Sequence, residues 1–225
     1  IHMASLLHDD IIDRADLRRH KPSALVTFGL PATLLTGDYL LVRAYSLCAR
    51  LDRAIILETE SACMALSEGE LAETSIALGD HSIESALEVS RKKTGSLFRL
   101  ACFSAAQLAT NDEQHEIAMR HFGESIGLAF QVVDDILDVL GSAAELGKSP
   151  GTDIRERKPS IVNLLWLESG SPLANELLLQ RSDAKPASAD EINAALTELK
   201  GSPTLEQAYE TVSYTHLTLP TNLCV

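Results

Sequence analysis

The sequence predicts an all-α fold built from long helices. Three observations carry that prediction: helical patterning already runs at Ile1, long stretches are bounded by capping residues and by Gly or Pro, and no convincing alternating strand occurs before residue 212. Ala, Leu, Glu and Ser are abundant, which suits helices. Residues 1–18 read as the end of a buried helix, broken at His20-Lys21-Pro22-Ser23 because the residue before proline avoids the helical region. Residues 31–50 form an apolar helix containing Thr36-Gly37-Asp38-Tyr39-Leu40-Leu41. Asp52 is placed as the N-cap of a long helix through about Leu78, closed by Gly79-Asp80. Ser82 opens another, running to Arg91-Lys92-Lys93. Thr94-Gly95 marks a break or kink, and the helix resumes over Ser96–Ala109.

Asn111 or Asp112 caps the next helix, which runs to about Leu140. Within it Gly123 and Gly127, four apart, allow another helix to approach closely. Gly141–Pro159 is rich in Gly, Ser, Pro and charge and reads as a mobile loop. Short helices follow near 160–168, 172–181, 189–200 and 204–212. Residues 213–225 lose this texture, with threonine recurring out of helical period, and read as an irregular tail of foreign origin. Residue 1 is not methionine, so the chain is expected to start inside an element, short of a natural N-terminal segment. Residues 1–212 are read as one domain.

At 225 residues the chain can bury a real core. Its net charge of −13 argues against nucleic acid or an anionic membrane surface as the main partner. Cys48, Cys63, Cys102 and Cys224 show neither C-x-x-C nor zinc spacing and read as reduced thiols of a cytoplasmic protein. No apolar run approaches the ~18–20 residues of a membrane span, and there is no signal peptide.

One five-residue word is written twice: Asp9-Asp10-Ile11-Ile12-Asp13 and Asp134-Asp135-Ile136-Leu137-Asp138. On a helix, positions i and i+4 stack, so Asp9 lies over Asp13 and Asp134 over Asp138. Asp10 and Asp135 stand roughly 100° round from the first member of each run. Like charges at that spacing weaken an isolated helix. A single such run is usually a solvated face. Two copies embedded in apolar residues point to something positive that offsets the repulsion. Magnesium takes one or two carboxylates, keeps waters and is completed by substrate phosphates.

Basic residues are few: Arg18 and Arg19 follow the first run, Lys93 precedes the helix break, and Lys148 and Lys158 lie in the loop after the second run. With divalent ions they suit two diphosphates, arginine binding bidentately and lysine as a point charge. No G-x-S-x-G, H-E-x-x-H or phosphate-binding G-x-x-x-x-G-K-S/T motif is present. A metal-clamped diphosphate without a protein nucleophile can act as a leaving group, the carbocation left behind being kept from water by apolar helices. His8 is either a group behind the acidic run or a core histidine. Gln131 either hydrogen-bonds a ligand or is structural.

Leu6 to Arg19 resembles the first aspartate-rich motif of the trans-isoprenyl diphosphate synthases, the polyprenyl synthetases, and Phe130 to Asp138 resembles the second. Gly147-Lys148, Asp153 and Lys158-Pro159 fit the loop that follows in that family. Thr36-Gly37-Asp38, Glu68-Gly69-Glu70 and Lys93-Thr94-Gly95 fall where it carries such residues. The resemblance implies an isoprenoid synthase-type bundle of long helices around a deep apolar cavity. It implies condensation of an allylic diphosphate with isopentenyl diphosphate, with about three Mg²⁺ ions per site. It implies direct metal binding by Asp9, Asp13 and Asp134, with Asp10, Asp135 and Asp138 binding the metal or orienting its waters. Arg18, Lys93 and Lys148 would hold the allylic diphosphate, Lys158 would close over it, and Arg19 would contact isopentenyl diphosphate. Thr94 and Gln131 would line the reacting carbons, and the departing diphosphate would accept the proton.

Two departures stand out. The family's Gly-Gly-Lys and arginine-rich element is not in this chain, and His20 stands where glycine is common after the arginine pair. One turn below Asp9 lie Ala4 and Ser5, small where short-chain members place aromatic floors. A long product, of roughly six or more isoprene units, is therefore expected because the volume stays unfilled. A terpene cyclase-type enzyme usually carries one D-D-x-x-D, and a non-catalytic or ionisation-only partner subunit tends to lose aspartates; both are weaker readings here. Helices 31–50 and 53–78 are more apolar than one core needs, which fits a homodimer.

Overall fold

The computed structural model describes residues 1–77, 82–110, 112–142, 149–179 and 186–217. They are almost entirely helical and fall into two units, Ile1–Cys63 and Met64–Val225. Among the described residues no helix is long and apolar enough to cross a membrane.

The first unit contains α1 (His2–Ile12), a two-residue hairpin of β1 (Leu17–Arg18) and β2 (Lys21–Pro22), α2 (Ala24–Phe28) and α3 (Leu30–Cys48). It also holds the start of α4 (Arg53–Ala77). Helix α1 ends at Ile12, not near residue 18 as the sequence suggested. Asp13 is its C-cap, and Arg14 takes a left-handed φ of 51° that no helix continues. The hairpin corrects the expectation of no strand: Leu17 pairs with Pro22 and Arg18 with Lys21 across the two-residue loop Arg19-His20. Both loop residues have positive φ, 51° and 63°, as a type I′ hairpin turn requires. Ser23 caps α2 through Val26 N–H, and Asp52 Oδ1 accepts from Ala54 N–H at the head of α4. Helix α3 buries only Thr33 and Gly37 and leaves Leu35, Tyr39 and Val42 exposed.

The second unit continues from α4 through α5 (Ile83–Ser90), a π-helical segment (Arg91–Gly95), α6 (Ser96–Ala109) and α7 (Glu113–Leu140). Helices α8 (Thr152–Glu156), α9 (Ile161–Glu168), α10 (Pro172–Leu178), α11 (Ala189–Lys200) and α12 (Thr204–Leu217) follow. Serine or aspartate caps α5, α7, α9, α10 and α11, the last with a full Ser188/Glu191 capping box. The break expected at Thr94-Gly95 is instead a π turn in an uninterrupted helix, which absorbs one extra residue without releasing the chain. Gly123 and Gly127 do admit close approach. A Cβ on Gly123 would lie 2.6 Å from the Phe98 carbonyl oxygen, and one on Gly127 would lie 2.7 Å from Gly95 Cα.

Helix α7 buries Gly123, Gly127, Leu128, Val132, Ile136 and Val139, a stripe at helical spacing. Against it lies a core that includes Ile154, Trp166, Leu177 and Leu199. Glu198 anchors this end, accepting from Trp166 Nε1 at 2.8 Å and from the Ser171 hydroxyl. Part of the expected mobile loop is built in, since α8 forms within it and Ile154 is buried. Helix α12 runs to Leu217, past the expected end at 212, because no Gly or Pro interrupts it after Pro203 until Pro220. The rest of the predicted tail, with Cys224, and also Leu78, Gly79-Asp80, Asn111, Gly147 and Lys148, lie outside the described residues. Cys48, Cys63 and Cys102 are half-buried thiols.

Candidate active site

The first acidic run sorts its carboxylates by exposure. Asp10 faces inward and Asp9 is half-buried, while Asp13 is exposed. The Asp13 N–H still donates to the Asp9 carbonyl at 2.8 Å, so the i, i+4 relation between the two survives the end of the helix. Asp10 Oδ1 accepts from Arg18 Nε at 2.9 Å and Nη2 at 2.6 Å. Burial of a carboxylate is costly unless it is paired, and this pair is charge-assisted. The β1–β2 hairpin is what brings Arg18 back over α1, with Arg19 at the exposed turn. Arg18 therefore serves Asp10 in this structure and turns only part of its five-donor guanidinium to other uses.

His8 explains Thr36-Gly37-Asp38. Its Nε2 lies 3.4 Å from both the Leu34 carbonyl oxygen and Asp38 Oδ1, and a Cβ on Gly37 would come within 2.3 Å of it. The glycine is there so that the imidazole can lie against α3. Ala4 is fully buried and Ser5 nearly so, the Ser5 hydroxyl donating to the His2 carbonyl at 2.9 Å.

The second run turns two of its three carboxylates inward. Asp134 is exposed, whereas Asp135 and Asp138 are 5 % and 1 % exposed. Asp135 accepts from Gln131 Nε2 at 3.0 Å and from the Ile161 N–H at 2.9 Å. Asp138 Oδ2 accepts from the Asp153 N–H at 3.0 Å, and its carbonyl from the Gly151 N–H at 2.9 Å. Both carboxylates thus satisfy orphan N–H groups at the starts of α9 and α8, where the helix dipole also favours negative charge. They tie the segment after α7 back onto it. The Asp135 carboxyl is pushed up to about 7, first by burial and further by the charges of Asp134 and Asp138; the Gln131 and Ile161 hydrogen bonds oppose the rise.

Gln131 joins Asp135 to the π segment, because its Oε1 accepts from the Thr94 hydroxyl at 2.8 Å. Thr94, Gln131 and Asp135 form one hydrogen-bonded line. Gly95, opposite Gly127, lets the π turn come close enough to α7 for it. Lys93, next to Thr94, is held by Glu70 at 2.7 Å and by Glu73, while Lys92 meets Glu68 at 3.1 Å. A Cβ on Gly69 would strike both lysine side chains, so Glu68-Gly69-Glu70 is the seat for Lys92-Lys93. Lys158 Nζ lies 3.1 Å from Glu156, and its N–H donates to the Asp153 carbonyl. Glu73 is the participant that the sequence reading missed; its signal is the i, i+3 spacing with Glu70 on α4.

The structure therefore groups Asp10 with Arg18, Lys93 with Glu70 and Glu73, Thr94 with Gln131 and Asp135, and Asp138 with Asp153. Among the described residues no three or more His, Cys, Asp or Glu side chains converge closely enough to hold a metal ion.

The sequence profile of the polyprenyl synthetase family matches residues 1–199. The chain belongs to that family. The chain is 33 % identical over 213 residues to a short chain isoprenyl diphosphate synthase of Methanocaldococcus jannaschii, covering 92 % of the chain and 64 % of that protein. It is 36 % identical over 205 residues to an octaprenyl diphosphate synthase of Haemophilus influenzae, covering 89 % of the chain and 62 % of that protein. A polyprenyl synthase from Caulobacter crescentus, crystallised with calcium and isoprenyl diphosphate, superposes with a TM-score of 0.85 at 29 % identity, over 95 % of the chain and 66 % of that structure. The chain thus spans less than two thirds of these relatives.

Proposed function

We propose that the chain is a prenyltransferase that condenses an allylic diphosphate with isopentenyl diphosphate, in the cytoplasm, to give a long trans-polyprenyl diphosphate. One observation carries this reading. The first run turns Asp10 inward and leaves Asp13 exposed and Asp9 half-buried, and the second turns Asp135 and Asp138 inward and leaves Asp134 exposed. The exposed donors are carboxylate oxygens only, the set that suits a hard divalent cation completed by phosphate oxygens. Asp9, Asp13 and Asp134 would hold Mg²⁺. Asp10, Asp135 and Asp138, engaged with Arg18, Gln131, Ile161 and Asp153, would act behind them. Bound magnesium would supply charge neutralisation for the leaving diphosphate.

The chain's own residues do the rest. Lys93, with Lys148 and Lys158, receives the diphosphate as the allylic C–O bond breaks and its electron pair stays on oxygen. The Thr94 hydroxyl, fixed by its bond to Gln131, turns its lone pairs to the allylic cation. The isopentenyl double bond attacks that cation, and the released diphosphate takes the proton that leaves. Arg19, exposed at the hairpin turn, is the candidate contact for isopentenyl diphosphate.

The test is incubation with both diphosphates and magnesium, followed by chromatography of prenyl products. Elongated products are expected. Diphosphate release without them would replace transfer by ionisation alone, and neither would overturn the reading. For product length, Ser5→Phe is expected to shorten the chain formed, and an unchanged product distribution would sink the assignment of Ala4 and Ser5. The exposed Leu35, Tyr39 and Val42 of α3 support a homodimer, which light scattering should detect as twice the chain mass; a monomer at all concentrations would contradict it.

A further inference from the structure

We propose that Glu70 and Glu73 are positioning residues for Lys93: they occupy two of its three N–H donors, keep it charged, and leave the third for a diphosphate. The proposal rests on the reading of Lys93 as a diphosphate ligand. It starts from α4, where Glu70 and Glu73 stand three residues apart and so share a face. Both are half-buried, and both reach the same ammonium, Glu70 at 2.7 Å. An ammonium has three donors and no acceptor, so two carboxylates leave one direction for a further partner.

The backbone is shaped for this arrangement. Gly69 removes the side chain that would collide with Lys93 Cγ at 2.8 Å and Lys92 Cβ at 2.9 Å. The π turn at Arg91–Gly95 carries both lysines onto α4, where Lys92 takes Glu68. Arg91 turns to Glu88 and Glu124. The three basic residues of this segment thus have separate acidic partners, and Lys93 alone has two from one helix.

The electrostatics follow from the geometry. Burial would lower the pKa of Lys93, and the Glu73 and Glu70 carboxylates more than reverse that, holding it above the ordinary lysine value. A lysine stripped of those partners in the same place would lose its proton more readily. A single acidic partner would keep the charge but leave the ammonium free to swing. Two fix its direction, which is what a lysine needs to act as an aimed point charge.

Two measurements read Lys93. Pulsed acylation with acetic anhydride, mapped by peptide mass, reports its protonation without any ligand. Calorimetry with inorganic diphosphate and magnesium reports its use. In Glu70→Gln/Glu73→Gln, the acylation midpoint of Lys93 is expected to fall by about one pH unit or more, because burial is no longer opposed. Diphosphate affinity near neutral pH is expected to weaken about three- to ten-fold, and further as pH rises. The single variant Glu73→Gln should show a smaller shift in the same direction, and it stands in if the double variant does not fold. An unmoved midpoint in both variants overturns the positioning role. Affinity that is unchanged or tighter despite a moved midpoint shows that the glutamates compete with the diphosphate, and overturns it too. Lys93→Ala binding diphosphate like the wild type would instead remove Lys93 from the ligand set, a failure of the underlying reading that leaves the acylation result to judge the glutamates.

Discussion

At the residue scale, six aspartates of identical spelling do different work. Asp134 is exposed, and Asp138 holds the N–H of Asp153. Asp134→Asn should therefore leave the thermal midpoint within about 2 °C of wild type, as surface changes do. It should lower magnesium-dependent turnover by about a hundred-fold or more, since one carboxylate of the cation's set is gone. Asp138→Ala should cost ~1–3 kcal/mol in urea unfolding by orphaning a buried donor. Equal destabilisation by the two variants would erase the distinction. Asp135 adds a pH dependence. Its folded pKa is about 7 against an ordinary 3.8, so across that interval the folded state keeps a proton that the unfolded chain has released. Stability then falls as pH rises through the interval and levels off above it. In chelator, Asp135→Asn should gain stability relative to wild type between about pH 4 and 7, and a difference that stays constant with pH would contradict the assignment. The D-D-x-x-D spacing was legible in the sequence. Which aspartate turns inward was not, because that depends on N–H groups of α8 and α9 that lie 15 and 26 residues further along the chain.

At the scale of elements, helix starts were legible at Asp52, Ser82 and Asp112, where an Asp or Ser side chain makes the capping bond, whereas the short α2 capped by Ser23 lay in a stretch read only as a break. The two glycines of α7 were legible too, because four-residue spacing puts them on one face. Gly127→Ala places a Cβ 2.7 Å from Gly95 Cα, a backbone atom that cannot swing aside. It should cost ~1–3 kcal/mol, and it should also weaken the Thr94–Gln131 bond. The π turn escaped because one extra residue in a helix leaves its composition unchanged. The hairpin escaped because its strands are two residues long and its turn lacks the usual Asn-Gly or Gly-Gly. His20 at φ 63° occupies a left-handed position where glycine costs nothing, so His20→Gly should raise the midpoint of thermal unfolding, by ~1 kcal/mol in stability. Loss of stability would mean that the His20 side chain makes a contribution larger than its strain.

At the scale of the whole molecule, the fold class was legible because long capped helices admit few alternatives, and the family because two acidic runs recur at a spacing rarely met by chance. The use of the apolar α3 face was not, since a sequence shows how apolar a helix is and not what covers it. The acidic balance of −13 and the distribution of carboxylates set the last expectation. Among the described residues no three potential ligands converge, so within them magnesium alone meets no preassembled cage. Diphosphate alone meets an acidic molecule. Together each supplies what the other lacks: the anion completes the cation's oxygen shell, and the cation masks the charge between diphosphate and aspartate. Binding to the folded state stabilises it by RT ln(1 + [L]/Kd), about 2.7 kcal/mol at a hundredfold excess over Kd. For a chain of this size that is a rise of roughly 5–10 °C in Tm. Magnesium with inorganic diphosphate should produce such a rise, whereas millimolar magnesium or diphosphate alone should move Tm by less than about 2 °C. A full shift with magnesium alone would show that the aspartates already form a closed metal site, and the division between exposed and inward-facing carboxylates would then have to be redrawn.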